Sequence, residues 1–358
     1  MRPERFRALF PALRSTVWLD TPGAPPGATP VVEALRETLS AWSSGEFDWR
    51  EWDAAADEAR TLFAGMVGAR PDGVATLGSL AEAAATVAAS LPPGRVVVPA
   101  QDFRSNLFPW SPRHEVVAVP PRDGSTQVED LIETLDDRVS LLAVSEVTSR
   151  DGQRLDLAAL RAATDQVGAR LFVNLTQSLG VLRYDPAVNP DFLAVHGYKW
   201  MLCPRGAAWL AARPDRVEEL RPLAPSWRST NPPYGYFGPA EFAADAGRCD
   251  ASPAWFSWIG AVPALRLLAS LDAAEVERHC LGLAARLTER AEAMGLRRVT
   301  AGPASQIVVL HTDRADRIAE RLREHGVRAT ALGDRIRFGL HYFNDESDVE
   351  AALRALSP

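Results

Sequence analysis

Between residues 72 and 212, short apolar runs alternate with amphipathic stretches, and no other feature of this chain restricts its fold so strongly. The runs are Arg95–Pro99, Glu115–Val119, Ser140–Val144, Arg170–Asn174 and Phe192–His196. Between them, Leu80–Leu91, Val128–Leu135 and Leu157–Val167 space their apolar residues as helices do. Such alternation predicts a parallel sheet with helices on both faces. Gly206–Ala212 reads as one more strand, close enough to Phe192–His196 to run antiparallel to it. Residues 30–70 read as helical, with Val31, Leu35, Leu39 and Trp42 on one face. Residues 213–255, rich in Pro, Gly and aromatics, read as a long irregular segment of the kind that serves binding or interfaces. One long helix is expected from Trp255 through Leu271 to Met294, followed by a small α/β unit. Its segments are Gln306–Leu310, Arg314–His325, Val327–Thr330, Arg335–His341 and Ser347–Leu356.

Composition narrows the function. At 358 residues, 47% apolar and 24% charged, the chain can bury one large core and a smaller one. A net charge of −7 offers no basic field to nucleic acid or an anionic membrane. No apolar run approaches the roughly 18–20 residues of a spanning helix. The start, MRPERFRALFPALRSTVW, lacks the long apolar core of a secretory signal. Cys203, Cys249 and Cys280 form neither a CxxC pair nor a metal-ligand spacing, so no metal site and a reducing, cytoplasmic setting are expected. Of the 39 basic residues, Lys199 is the single lysine. Arginine replaces lysine wherever charge alone matters, but not where a neutral amine must act as a nucleophile.

The strand ends collect unusual chemistry, and in parallel sheets ligands sit beyond those ends. Thr76-Leu77-Gly78-Ser79 opens a helix, where backbone N–H groups can meet an anion. Gln101–Asn106, Thr148–Gly152 and Asn174–Gly180 follow three of the runs, and His196-Gly197-Tyr198-Lys199-Trp200 follows another. An amine, anion donors, a planar side chain and polar partners together are what a pyridoxal phosphate site requires.

The stretch NLTQSLG, then DFLAVHGYKWMLCPRGAAWL, resembles the signature of class V aminotransferases. These are the cysteine desulfurase, isopenicillin N epimerase and kynureninase-like branch of fold-type I pyridoxal phosphate enzymes. The likeness runs from LDTPGAPP near the start to IRFGLHYFNDESDV near the end. It implies a large domain with a mostly parallel seven-stranded sheet and a small C-terminal α/β domain. The expected division is an arm at 1–25, a cofactor domain at 26–254, and the long helix with the small domain at 255–358. It also implies a homodimer with active sites at the subunit interface.

By position, the resemblance gives Lys199 the cofactor as an internal aldimine and then the Cα proton of an amino-acid substrate. Tyr198 and His196 would meet the phosphate, with Gly78, Ser79 and Leu80 standing for a Gly-Ala-Thr loop that here lacks one hydroxyl. Phe103 would stack on the pyridine ring, and Gln177, with Ser149 nearby, would bond its O3′ oxygen. Ser252 resembles a residue lent to the neighbouring subunit's phosphate. Arg337 would clamp the substrate carboxylate, with Arg335 competing from the same strand face.

Two departures bear on the reaction. Asn174 stands where the family has an Asp that keeps the ring nitrogen protonated, which weakens the electron sink and penalises transamination most. The segment Gly326–Gly333 before Arg337 carries no cysteine, which argues against a persulfide desulfurase. The favoured reading is a Cys-independent β- (or γ-) elimination lyase. An aminotransferase or amino-acid epimerase is the first alternative. A non-catalytic scaffold, suggested by Asn174, is the second.

Overall fold

The computed structural model describes residues 1–231 and 233–357. Seven apolar segments pair into one sheet: β1 (Val74–Leu77), β2 (Arg95–Pro99), β3 (Glu115–Val119), β4 (Val139–Ser145), β5 (Arg170–Asn174), β6 (Phe192–His196) and β7 (Ala208–Ala212). Their order is β1-β7-β6-β5-β4-β2-β3. The β2–β3, β2–β4, β4–β5 and β5–β6 pairs are parallel, whereas β7 is antiparallel to both β6 and β1. The link from β6 to β7, residues 197–207, is too short for a crossover helix, so the chain doubles back. That reversal places the single lysine in a tight turn at the sheet's carboxyl end.

Alternate residues of the strands feed two cores. Val96, Val98, Leu141 and Phe172 face Ala83, Ala84 and Val87 of helix α3 (Leu80–Ser90). Val97, Leu142, Val173 and Val195 face the other layer, with Leu160, Trp258 and Leu265. The longer helices are α1 (Thr29–Ser44), α2 (Trp49–Val67), α3, α4 (Leu157–Val167), α5 (Trp255–Ala269), α6 (Ala273–Ala293), α7 (Ala315–Glu324) and α8 (Glu346–Leu356).

Two expected helices are broken by local capping. The stretch 30–70 divides where α1 stops at Gly45 and the Asp48 side chain accepts the Arg50 N–H at the start of α2. The single helix expected from Trp255 to Met294 is also two. Asp272 accepts the N–H groups of Ala274 and Glu275, starting α6 afresh after Ser270.

A second sheet is antiparallel: Thr330–Ala331, β9 (Arg335–Gly339), β8 (Ile307–His311) and Arg297–Arg298. Val308, Leu310, Ile336 and Phe338 pack with Leu287, Ile318 and Val349 of α6, α7 and α8, while Ile307 and Val309 join the core of the large sheet. The expected strand Val327–Thr330 is split. Val327–Arg328 pairs with Val17–Trp18, and only Thr330–Ala331 joins the sheet. The N-terminal segment is therefore sewn to the small sheet, and Asp20 bridges to Gly339. Among the described residues, no helix is long and apolar enough to cross a membrane.

Candidate active site

A cavity of about 230 Å³ opens at the carboxyl ends of β4, β5 and β6. Clefts of about 650 and 720 Å³ lie elsewhere but contain no amine and none of the strand-end polar residues, so size does not locate the chemistry. Drug-sized pockets span about 300–1,000 Å³, so this cavity suits one compact ligand.

Lys199 sits in the turn after β6, 4% exposed. Gly180 and Gly197 explain why the local sequence is so constrained. A Cβ on Gly197 would come 2.8 Å from the Trp209 ring. Gly180 has φ +104°, and a Cβ there would lie 2.5 Å from the Trp200 carbonyl oxygen. The Trp200 indole N–H also donates to Gln177 Oε1 at 2.8 Å. The 174–180 and 196–206 segments thus interlock, which fixes the Gln-x-x-Gly spacing against the Tyr-Lys-Trp one. Lys199 Nζ lies 5.3 Å from the Phe103 ring centre and 5.6 Å from that of Tyr198. Burial first, then the charges of Arg337 and Arg205, pull the amine down to about 7, with Asp20 opposing.

One edge of the cavity is polar and already connected. Gln177 Nε2 donates to Ser149 Oγ at 2.9 Å. Arg337 donates to the Ser149 carbonyl at 2.7 Å and its hydroxyl at 3.2 Å, and lies 3.7 Å from Asp20. Its buried Nε has no partner among the described residues. Arg335 instead turns to Asp334, so of the two candidate arginines only Arg337 is tied to the cavity wall.

The opposite end gathers donors. Ser79 Oγ accepts the Glu82 N–H at 3.2 Å, and Glu82 Oε2 accepts the Gly78 N–H at 2.8 Å. Ser79 and Gly78 are thereby engaged in helix capping. The N–H groups of Leu80 and Ala81, both lining the cavity, have no acceptor among the described residues. His196 Nε2 accepts the Gly206 N–H at 3.4 Å, and burial lowers the ring to about 4. The neutral ring therefore carries its proton on Nδ1. Tyr198 packs edge-on to His196, with ring centres 4.5 Å apart. The half-exposed Phe103 ring remains free to stack.

Sequence reasoning assigned no role to Arg205, Ser145, Thr176 or Asp102. Arg205 stacks its guanidinium 4.7 Å above Tyr198 and has no carboxylate partner among the described residues. Its place before Gly206 in the Lys199 turn was the available signal. Asp20, which arrives from the far end of the chain, lies in the LDTPGAPP stretch of the resemblance but was given no role there. Ser252 is exposed and lies outside the cavity of its own chain. All three cysteines are buried and none lines the cavity. Burial raises the Cys203 and Cys280 thiols. Among the described residues no cluster could hold a metal ion.

A sequence model of the family described as "Aminotransferase class-V" matches residues 17–354. YcbU of Bacillus subtilis, an uncharacterized aminotransferase, is 28% identical over 360 residues, 98% of this chain and 96% of that protein. An isopenicillin N epimerase of Amycolatopsis lactamdurans is 26% identical over 332 residues, 83% of each chain. The structure of the cystine C–S lyase C-DES with its reaction product cysteine persulfide superposes with a TM-score of 0.86 at 21% identity. It covers 98% of this chain and 100% of that one, a likeness of fold.

Proposed function

The chain belongs to the class-V aminotransferase family, and on that premise we propose that it is a pyridoxal phosphate-dependent lyase. It would remove the Cα proton of an amino acid and expel a β (or γ) substituent without a cysteine nucleophile. The observation that carries this reading is a cavity with one buried amine and no thiol on its wall.

The residues present fit the cofactor. Phe103 offers a flat face opposite Lys199, and Asn174 an amide at the strand end. Ser149 and Gln177 offer polar atoms along one edge. The Leu80 and Ala81 amides, the Ser79 hydroxyl, His196 Nδ1, Tyr198 and Arg205 provide the phosphate end. When bound, pyridoxal phosphate supplies an aldehyde for the amine and a ring that spreads negative charge developing at Cα.

This chain's residues then divide the work. Lys199 Nζ, poised near neutrality, takes the Cα proton and delivers a proton to the departing substituent. Arg337, with an unspent Nε, holds the substrate carboxylate and so sets which Cα bond faces the amine. Ser149 and Gln177, tied to Arg337 and Trp200, hold that clamp in register with the ring edge. The net reaction converts a β-substituted amino acid and water into the 2-keto acid, ammonia and the protonated leaving group. Ser252, exposed on its own chain, is assigned to the phosphate of a second copy in a homodimer.

The test has two stages. The protein loaded with pyridoxal phosphate is reduced with borohydride, and the pyridoxyl mass is mapped to the Lys199 peptide. It is then incubated with β-chloroalanine and cystine without any acceptor keto acid. Release of 2-keto acid and ammonia in equal amounts supports the lyase. Turnover that requires an added keto acid identifies an aminotransferase. Exchange of the Cα proton with D2O and no released product identifies an epimerase.

A further inference from the structure

Resting on the pyridoxal phosphate reading, we propose that Asp102, acting through Ser145 and Asn174, supplies the charge that keeps the ring nitrogen of the bound cofactor protonated. Asn174 is thereby a relay. It is not a neutral gap where the family's carboxylate would be.

The chain of contacts is continuous. Asp102 is buried behind the cavity, in the turn that carries Phe103. Its Oδ1 accepts the Phe103 N–H at 2.6 Å, and its Oδ2 accepts the Asn106 side-chain amide at 2.7 Å. The Ser145 hydroxyl lies across both oxygens, 2.8 and 2.9 Å away. Burial raises the Asp102 carboxyl, opposed by the Asn106, Ser145 and Phe103 donors that favour its anion. As the anion it can only accept, so the Ser145 hydroxyl proton points to Asp102 and the Ser145 lone pairs face Asn174. Asn174 Nδ2 donates there at 2.8 Å. At its other end, the Thr176 N–H, which can only donate, holds Asn174 Oδ1 at 2.9 Å. The amide is fixed in one orientation from both sides, and Asn174 lines the cavity.

Hydrogen bonds in a row polarise one another, most of all when the row ends in an anion away from water. Asn174 Oδ1, with a lone pair left beyond the Thr176 contact, becomes a stronger acceptor than an isolated amide. A stronger acceptor favours the N–H form of a pyridine nitrogen. A carboxylate that merely capped its own turn would account for the Phe103 and Asn106 contacts. It would not account for a hydroxyl from a neighbouring strand spanning both oxygens and passing the contact on. The charge sits farther from the ring than a directly bonded carboxylate would, so the sink is weakened but retained.

The holoenzyme is prepared with pyridoxal phosphate labelled with 15N at the ring nitrogen, and that resonance is recorded by solid-state NMR. The wild type is expected at the pyridinium position. Asp102→Asn keeps the shape and removes the charge. Ser145→Ala keeps the Phe103 and Asn106 contacts and cuts the chain. Both variants should move the resonance toward unprotonated pyridine, and the double variant no farther. Asn174→Asp should restore the pyridinium signal in the Ser145→Ala background. A wild-type resonance at the unprotonated position, or one unmoved in the substituted proteins, overturns the proposal. If Asp102→Asn fails to fold, Ser145→Ala alone decides. Failure of the wild type to take up the cofactor sinks the parent reading instead, and is seen in the absorption spectrum before any resonance is recorded.

Discussion

The two walls of the cavity handle charge in opposite ways. The wall made by the 196–206 turn presents Lys199 and Arg205, and Arg337 of β9 stands behind it against Ser149, with Asp20 3.7 Å from Arg337 as the counter-charge. The wall behind Phe103 carries an acid, Asp102, whose contacts all come from neutral donors of the protein. Burial, and after it the like charges of Arg337 and Arg205, disfavour the charged amine, and the cost shows as Lys199 lowered to about 7. The acid wall is complete before any ligand arrives. The cationic wall is complete only with anions, and a phosphate and a substrate carboxylate are the two it would receive. Substitutions on the cationic wall should therefore alter binding and proton transfer, whereas those on the acid wall should alter the cofactor's electronics.

The largest effect belongs to Lys199. Lys199→Ala should lower kcat by about 10²–10⁴-fold, the usual share of a positioned proton-transfer group, while the cofactor still binds non-covalently. Lys199→Arg should rescue nothing, because a guanidinium stays protonated. Single-turnover rates with bound substrate measure this. Next comes Arg337→Ala, which removes hydrogen bonds to a charged group. It should raise KM about 10- to 150-fold, with a smaller fall in kcat. Arg335→Ala, remote from the cavity wall, is the control. If Arg335→Ala raises KM as much as Arg337→Ala does, the clamp is misassigned.

The contrast between the walls also marks what could be read from sequence. The parallel sheet was legible because its strands are short apolar runs, several of them separated by helical spacing, whereas the buried edge strand Val74–Leu77 was read only as the segment opening a helix. The lysine turn was legible because one amine among guanidiniums, flanked by glycines, has few other uses. The helix breaks at Gly45 and Ser270 were missed because apolar periodicity runs through them, and only Asp48 and Asp272 as caps reveal them. Asp102 stood in plain view in Gln101–Asn106 but reads there as an ordinary turn acid. Its importance depends on Ser145, on the adjacent strand of the sheet but 43 residues along the chain, which no local pattern reports. Asp20 depends on the N-terminal segment joining the small sheet, a contact of the longest range.

A smaller effect tests the cationic wall through pH. In the cofactor-free protein, the rate at which Lys199 captures pyridoxal phosphate should rise with pH and level off above about 7, because only the neutral amine attacks. Arg205→Gln removes a like charge and should move that midpoint to higher pH, while weakening cofactor binding. The unfolded chain keeps this amine protonated up to about 10.4. The unfolded state therefore binds more protons between about 7 and that value, and the cofactor-free fold should gain stability as pH rises through this window. Urea titrations at pH 7 and 9.5, compared with Lys199→Met, isolate the contribution. If the two proteins keep the same stability difference at both pH values, the amine is not depressed.

The smallest effect is expected at Leu80, where the family's hydroxyl is missing. The two unpaired amides at the start of α3 are backbone groups, and the side chain at 80 does not supply them. Leu80→Thr adds one neutral hydroxyl to a set that already includes two amides, Ser79, Tyr198, the His196 Nδ1 proton and Arg205. A single neutral hydrogen bond contributes about 0.5–1.5 kcal/mol, so cofactor affinity should tighten by about 2- to 12-fold. Leu80 is itself buried in the core under the sheet, so the same change removes apolar packing and should lower thermal stability. Affinity gained as stability falls is the signature of a phosphate end built from backbone. An affinity gain far beyond that range would mean that the amides do not reach the phosphate and that the family's side chain is needed.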